Sequence, residues 1–154
     1  MKGKEERIEM IALASDHAGF ALKEAVREYL AGKGIDIKDY GVYSNEVVDY
    51  PLAIRTPCLD IGSKTADKGI FFCGTGIGVS IAANKHSGVR AACVTEAYSA
   101  RLAREHNDAN VLCLGGRILS KECAFDIVDV FLNTPFSGEE RHKKRIDQIA
   151  GTEK

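Results

Sequence analysis

The sequence predicts a doubly wound α/β domain, a five-stranded parallel sheet covered by helices on both faces. Two observations predict it. Short apolar runs alternate along the chain with stretches of helical spacing, and strands joined by helical crossovers must lie parallel and be buried on both faces. A third sets the scale: 154 residues with 45% hydrophobic content suit one core.

The elements follow in order. After a polar leader, residues 1–7, which is expected to fray, the apolar run 8–15 reads as a first strand. Residues 20–33 then carry Leu22, Val26, Tyr29 and Leu30 at helical spacing until Gly32 and Gly34 stop them. Residues 35–42 form the second strand and 51–66 the next helix, in which Pro57 removes a donor and should kink or split the helix. Residues 69–73 are the third strand, and a glycine turn leads into a helix that runs through Lys85. Residues 89–95, 98–106 and 111–114 read as strand, helix and strand. Ser120 is placed to cap a helix ending at Leu132, and Pro135 and Gly138 separate that helix from a charged, basic last one, 139–150. Residues 8–150 thus make one three-layer α/β/α domain, Rossmann-like in its winding. In such sheets ligands bind outside the carboxyl ends of the strands, where this chain gathers Asp16 and His17, Cys73 to Gly78, Glu96 and Arg117.

Composition narrows the function. A formal net charge of −1 gives no overall basic field, which argues against nucleic acid as a partner. The five cysteines form no Cys-x-x-Cys pair and the N-terminus has no hydrophobic signal segment, so a reduced, cytoplasmic protein is expected. No apolar stretch approaches the roughly 18 residues that cross a membrane. Four scattered histidines show no ligand spacing, so no metal is expected.

The richest stretch runs from Phe71 through Cys73-Gly74-Thr75-Gly76-Ile77-Gly78 to Lys85: strand, turn, helix. Its glycines allow a nest of N–H donors that would hold an anion or a developing oxyanion. Cys73 sits beside that nest, in a local potential that favours the thiolate, and offers a base or nucleophile. A dinucleotide fingerprint fails because its third glycine would fall at Val79, and the phosphate-loop pattern of nucleotide hydrolases fails as well. The competing view is a purely structural turn with Cys73 as a small core residue. Cys93 and Cys113, inside apolar strands, are read in that way as buried. His106, at a helix end, is a capping or solvated residue by default, but beside a thiolate it becomes a natural proton donor. His17 after Asp16 is a ligand candidate. Arg141 and Arg145, four apart in the run Arg141-His142-Lys143-Lys144-Arg145, share a helix face and form a phosphate grip unless the run is only a solvated face. Arg117 is a third candidate.

Six motifs in this order, Ser15-Asp16-His17-Ala18-Gly19, Asp49-Tyr50-Pro51, Cys73 to Gly78, Ile81-Ala82-Ala83-Asn84-Lys85, His106-Asn107-Asp108-Ala109-Asn110 and Gly115-Gly116-Arg117, together resemble type B ribose-5-phosphate isomerases over residues 8–147. The resemblance implies a cofactor-free aldose–ketose isomerase acting through a cis-enediolate. Cys73 matches the family's base and Gly74, Thr75, Gly76, Ile77 and Gly78 its anion hole. His106 matches the ring-opening acid, with Thr75 near the ring oxygen. Asp16, His17, Tyr50 and Asn107 match substrate contacts, and Arg117, Arg141 and Arg145 the phosphate grip. One branch uses a glutamate base at the position of Val79, which cannot accept a proton. The family shares its site across a homodimer or a dimer of dimers, with the His106 and arginine side coming from the neighbouring subunit. Two alternatives stand beside this: a hexose-6-phosphate isomerase, for allose or galactose 6-phosphate, and a non-catalytic sugar-phosphate sensor.

Overall fold

The computed structural model describes residues 9–153, so the leader 1–7 and Ile8 of the first expected strand lie outside the described residues. Five strands, β1 Met10–Ser15, β2 Asp36–Asp39, β3 Lys68–Cys73, β4 Ala91–Cys93 and β5 Val111–Gly115, pair in parallel in the order β2-β1-β3-β5-β4. Seven helices connect and cover them: α1 Phe20–Gly32, α2 Tyr50–Ala53, α3 Arg55–Gly62, α4 Ile77–Ala83, α5 Ala97–Asn107, α6 Lys121–Asn133 and α7 Glu140–Ala150.

Side chains alternate across a strand, so each central strand feeds two cores. Ile11 and Leu13, Ile70 and Phe72, and Leu112 and Leu114 pack under α1, α5 and α6. Ala12 and Ala14, Phe71 and Cys73, and Val111 and Cys113 face the α3–α4 layer. This double burial is why the strands read as unbroken apolar runs. It is the expected three-layer α/β/α arrangement.

The expected helix 51–66 is split, and the break falls at Ile54 rather than at Pro57. A proline clashes with the carbonyl four residues earlier and offers it no N–H, so the discontinuity appears one turn upstream, at Ala53–Ile54. Pro57 then occupies the first turn of α3, where its missing donor costs nothing. Lys23, fully buried, donates to both carboxylate oxygens of Asp39 at 2.8 and 2.9 Å and ties α1 to the end of β2. Ser120 caps α6 as expected, its Oγ accepting the Cys123 N–H at 3.2 Å.

The fourth strand is shorter than expected, three residues rather than seven, and side-chain amides hold its amino end. Asn84 Nδ2 donates to the Ala91 carbonyl at 2.9 Å while its Oδ1 accepts the Ala91 N–H at 2.8 Å. Asn110 does the same one step upstream, accepting from the Arg90 N–H and donating to the Gly88 carbonyl, both at 2.8 Å.

Candidate active site

Cys73 is the last residue of β3 and only 4% exposed, facing the α3–α4 layer. The turn after it brings the Gly76 N–H to 3.1 Å from Cys73 Sγ. This needs Gly76 at φ 78°, in the left-handed region, with its α-carbon so close to β5 that a Cβ would sit 2.9 Å from the Leu114 carbonyl carbon. Thr75 stands exposed at the crest of the turn, its Oγ1 accepting the Ile77 N–H at 3.2 Å. Gly74 and Gly76 are buried beneath it, and Ile77 projects outward at the start of α4.

Two neighbouring loops close on this turn. After β5, the Gly116 N–H donates to the Cys73 carbonyl at 2.8 Å and the Arg117 N–H to the Gly74 carbonyl at 2.9 Å. These bonds lay the Arg117 guanidinium over Gly74, Nη1 lying 3.1 Å from where a Cβ would stand. After β1, the Asp16 N–H donates to the Phe72 carbonyl at 3.3 Å, and Asp16 Oδ1 accepts the Gly19 N–H at 2.9 Å, fixing the entry to α1. His17 Nδ1 lies 3.3 Å from both the N–H and the carbonyl of Val48, which steadies the segment leading to Tyr50. The Tyr50 ring then crosses Gly78, where a Cβ would fall 2.6 Å from Cζ; only glycine lets the phenol lie there. Asp16, His17, Tyr50, the turn 73–78 and Arg117 are thus one cluster at the carboxyl ends of β1, β3 and β5.

His106 and Asn107 end α5, and their cluster is elsewhere. A helix that leaves the carboxyl end of β4 runs back along the sheet, so its last turn reaches the amino ends of the strands. There the Gly69 N–H donates to the Asn110 carbonyl at 2.9 Å. β3 itself separates the two ends by about 17 Å. The His106 ring stacks on His142 of α7 with centroids 4.4 Å apart and planes 15° from parallel. Burial, then the charges of His106 and Arg141, push His142 below the ordinary histidine range. Arg141 and Arg145 are exposed on the same helix, and Arg141 Nε donates to Glu139 Oε2 at 2.8 Å. Arg117 thus lies with Cys73 at the carboxyl ends of the strands, as its place after the fifth strand predicts, whereas Arg141 and Arg145 lie with His106.

One expectation changes. Cys93 is exposed rather than buried, because β4 is an edge strand that ends there; Cys113, one strand inward, is fully buried. Glu96, at the carboxyl end of β4 as expected, caps α5, both carboxylate oxygens accepting the Ser99 N–H at 3.0 Å. The pairing of His142 with His106 has no signal in the sequence beyond the place of His142 between Arg141 and Lys143. Among the described residues no group of His, Cys, Asp or Glu is arranged to hold a metal ion.

Residues 11–149 match the family model described as Ribose/Galactose Isomerase. The chain is 43% identical to ribose-5-phosphate isomerase B of Escherichia coli, over 93% of this chain and 95% of that protein. Among solved structures it resembles a ribose 5-phosphate isomerase of Thermotoga maritima, with TM-score 0.91, 53% identity, and coverage of 94% of this chain and 99% of that one. It also resembles ribose-5-phosphate isomerase B from Mycoplasma genitalium with bound ribulose-5-phosphate, with TM-score 0.87, 42% identity, and coverage of 92% and 94%.

Proposed function

This chain belongs to the Ribose/Galactose Isomerase family, and from that membership we propose how its own residues interconvert ribose 5-phosphate and ribulose 5-phosphate. The reaction is an aldose–ketose isomerisation. One proton passes from C2 to C1 and another from O2 to O1, with the phosphate untouched.

Closed ribofuranose must first open: a proton is delivered to the ring oxygen, the C1–O4 bond breaks, and the O1 proton leaves. His106 is the donor in this proposal, with Thr75 beside the ring oxygen. The Cys73 thiolate then takes the C2 proton and returns it to C1, and the turn amides of Gly74 to Gly78 receive the charge that develops on the enediolate oxygens. Asp16, His17, Tyr50 and Asn107 hold the hydroxyls, and Arg117, Arg141 and Arg145 the phosphate. The observation that carries this reading is the Cys73–Gly76 pair, a nearly enclosed sulfur with an amide N–H aimed at it from 3.1 Å. Val79, fully buried beside it, supplies no rival base.

The proposal includes a homodimer in which each site takes Cys73 from one protomer and His106, Asn107, Arg141 and Arg145 from its partner. Two observations support it. The acid and the base lie at opposite ends of one sheet, and exposed Leu52, Ile77 and Ile81 border the Cys73 turn together with Tyr50, an apolar rim suited to a second copy. No helix among the described residues is long and apolar enough to cross a membrane, and all five thiols are free, which suits the cytoplasm.

The test is an absorbance assay for ketose formed from ribose 5-phosphate with no metal or cofactor added. Turnover with kcat/KM above that for allose 6-phosphate is expected. A hexose preference beyond about tenfold would replace the pentose assignment; no turnover of either would leave the sensor. Arg141→Ala should raise KM about ten- to a hundredfold with kcat little changed, since a charge-assisted contact contributes roughly 1.5–3 kcal/mol. An unchanged KM returns the basic run to a solvated face.

A further inference from the structure

Asp108 follows the last residue of α5 and holds φ 43° and ψ 44°, a left-handed conformation that a residue with a side chain adopts at a cost. Helices that end in this way ordinarily place glycine there. Here the position carries a carboxylate, and two guanidinium groups close on it. Arg104 Nη1 donates to Asp108 Oδ1 at 2.8 Å and to the Ala109 carbonyl at 2.7 Å. Arg90 Nε donates to the Asn107 carbonyl at 3.0 Å, its Nη2 donates to the Asp108 carbonyl at 2.9 Å, and the same nitrogen lies 3.5 Å from Asp108 Oδ2.

Three consecutive carbonyls, those of residues 107, 108 and 109, are therefore each held by an arginine, immediately after His106. Arg104 is buried, and its Nε donates to the Thr134 carbonyl just past the end of α6 at 3.1 Å. Three residues further on, the Ser137 N–H donates to the Glu105 carbonyl at 3.2 Å. The segment that enters α7, and with it His142 and Arg141, is thereby fastened to the last turn of α5. Arg90 is itself fixed by the Asn110 side chain that accepts its N–H.

We propose that Arg90 and Arg104, acting through Asp108, are positioning residues for the ring-opening step: they set the carboxyl-terminal turn of α5 so that the His106 imidazole meets the ring oxygen of a furanose phosphate. The proposal rests on the reading of His106 as the ring-opening acid. Proton transfer tolerates little displacement, and a misplacement of about 1 Å costs on the order of a hundredfold in rate. A glycine at 108 would satisfy the backbone but leave both guanidinium groups without their common carboxylate. The clamp fixes the side chains on either side of it, which a simple helix stop does not require.

The test compares two substrates. Ribose 5-phosphate is almost entirely a closed furanose; its 4-deoxy analogue lacks the hydroxyl that closes the ring and is permanently open, while keeping the span from C1 to phosphate. For Arg90→Lys and for Asp108→Gly, kcat on ribose 5-phosphate should fall about ten- to a hundredfold relative to the unaltered enzyme, and kcat on the analogue should stay within about twofold. His106→Asn is run alongside and should show the same split, larger. Equal losses on both substrates, with or without a fall in Tm, or no loss on either, overturn the clamp as a positioning device and leave it a scaffold. If His106→Asn itself shows no split, the acid assignment fails and the positioning role falls with it. A split for His106→Asn without one for the clamp variants overturns the clamp alone.

Discussion

Cys73→Ala should lower kcat by about 10³-fold or more while KM for ribose 5-phosphate changes little. Removing the group that moves the carbon-bound proton typically costs 10²–10⁴, roughly, for a general base, whereas the hydroxyl and phosphate contacts proposed for the site come from other residues. The variant loses a single sulfur at a strand end and leaves the Gly76 amide without its acceptor, so Tm should fall only modestly. Cys73→Ser, which restores an acceptor for that amide but supplies a hydroxyl in place of a thiolate, should be as inactive as the alanine variant. Activity within tenfold of the unaltered enzyme in both would move the base elsewhere. Alkylation gives the same answer independently. Cys123 is exposed and will label; Cys93 is exposed too, but burial of its sulfur pushes its thiol above the ordinary range and slows it, while burial pushes the Cys58 thiol up to about 12 and Cys113 well above the ordinary thiol range, making both inert. Inactivation by iodoacetamide should follow modification of Cys73 and be slowed by substrate; inactivation that tracks Cys93 or Cys123 instead would contradict the assignment.

Two inactive proteins, Cys73→Ala and His106→Asn, should regain activity when their subunits are exchanged. In a mixed dimer one site inherits both substitutions and the other inherits neither. With random reassortment half of the dimers are mixed and each has one intact site of two, so about a quarter of the unaltered activity is expected. Separate preparations mixed without exchange should stay inactive. Exchange confirmed by mass spectrometry with no recovery would mean that the two residues do not meet across a subunit boundary.

Much of this was legible in the sequence. The strands were, because burial on both faces forces continuous apolar runs such as Ile70 to Cys73, and the chemistry of the 73–78 turn was, because three glycines at alternate positions announce a backbone that something must approach. Pro57 announces a break in the helix but not its place, which lies one turn upstream because the steric conflict is with the residue four positions earlier. The strand order was not legible. Nothing local in residues 89–95 says that β4 crosses beyond β5 to the edge, and the exposure of Cys93 follows from that crossing. The remoteness of His106 from Cys73 in one chain was within reach: a helix following a parallel strand must carry its last turn back to the amino ends. The place of Arg117 was legible as well, since it follows a strand; that of Arg141 and Arg145 was not, because they begin a helix and the sequence does not say to which end that helix returns.

The side-chain amide of Asn84 has a consequence for assembly. By occupying both the N–H and the carbonyl of Ala91, it withdraws from the outermost strand the groups on which a foreign strand would build. At the opposite margin β2 presents exposed Asp36 and Lys38, charges that a flat neighbour would have to strip of water. Each border of the sheet is thus guarded at one point or more, by an amide at one margin and by charge at the other, which disfavours the addition of a further strand and with it a ready template for fibre growth.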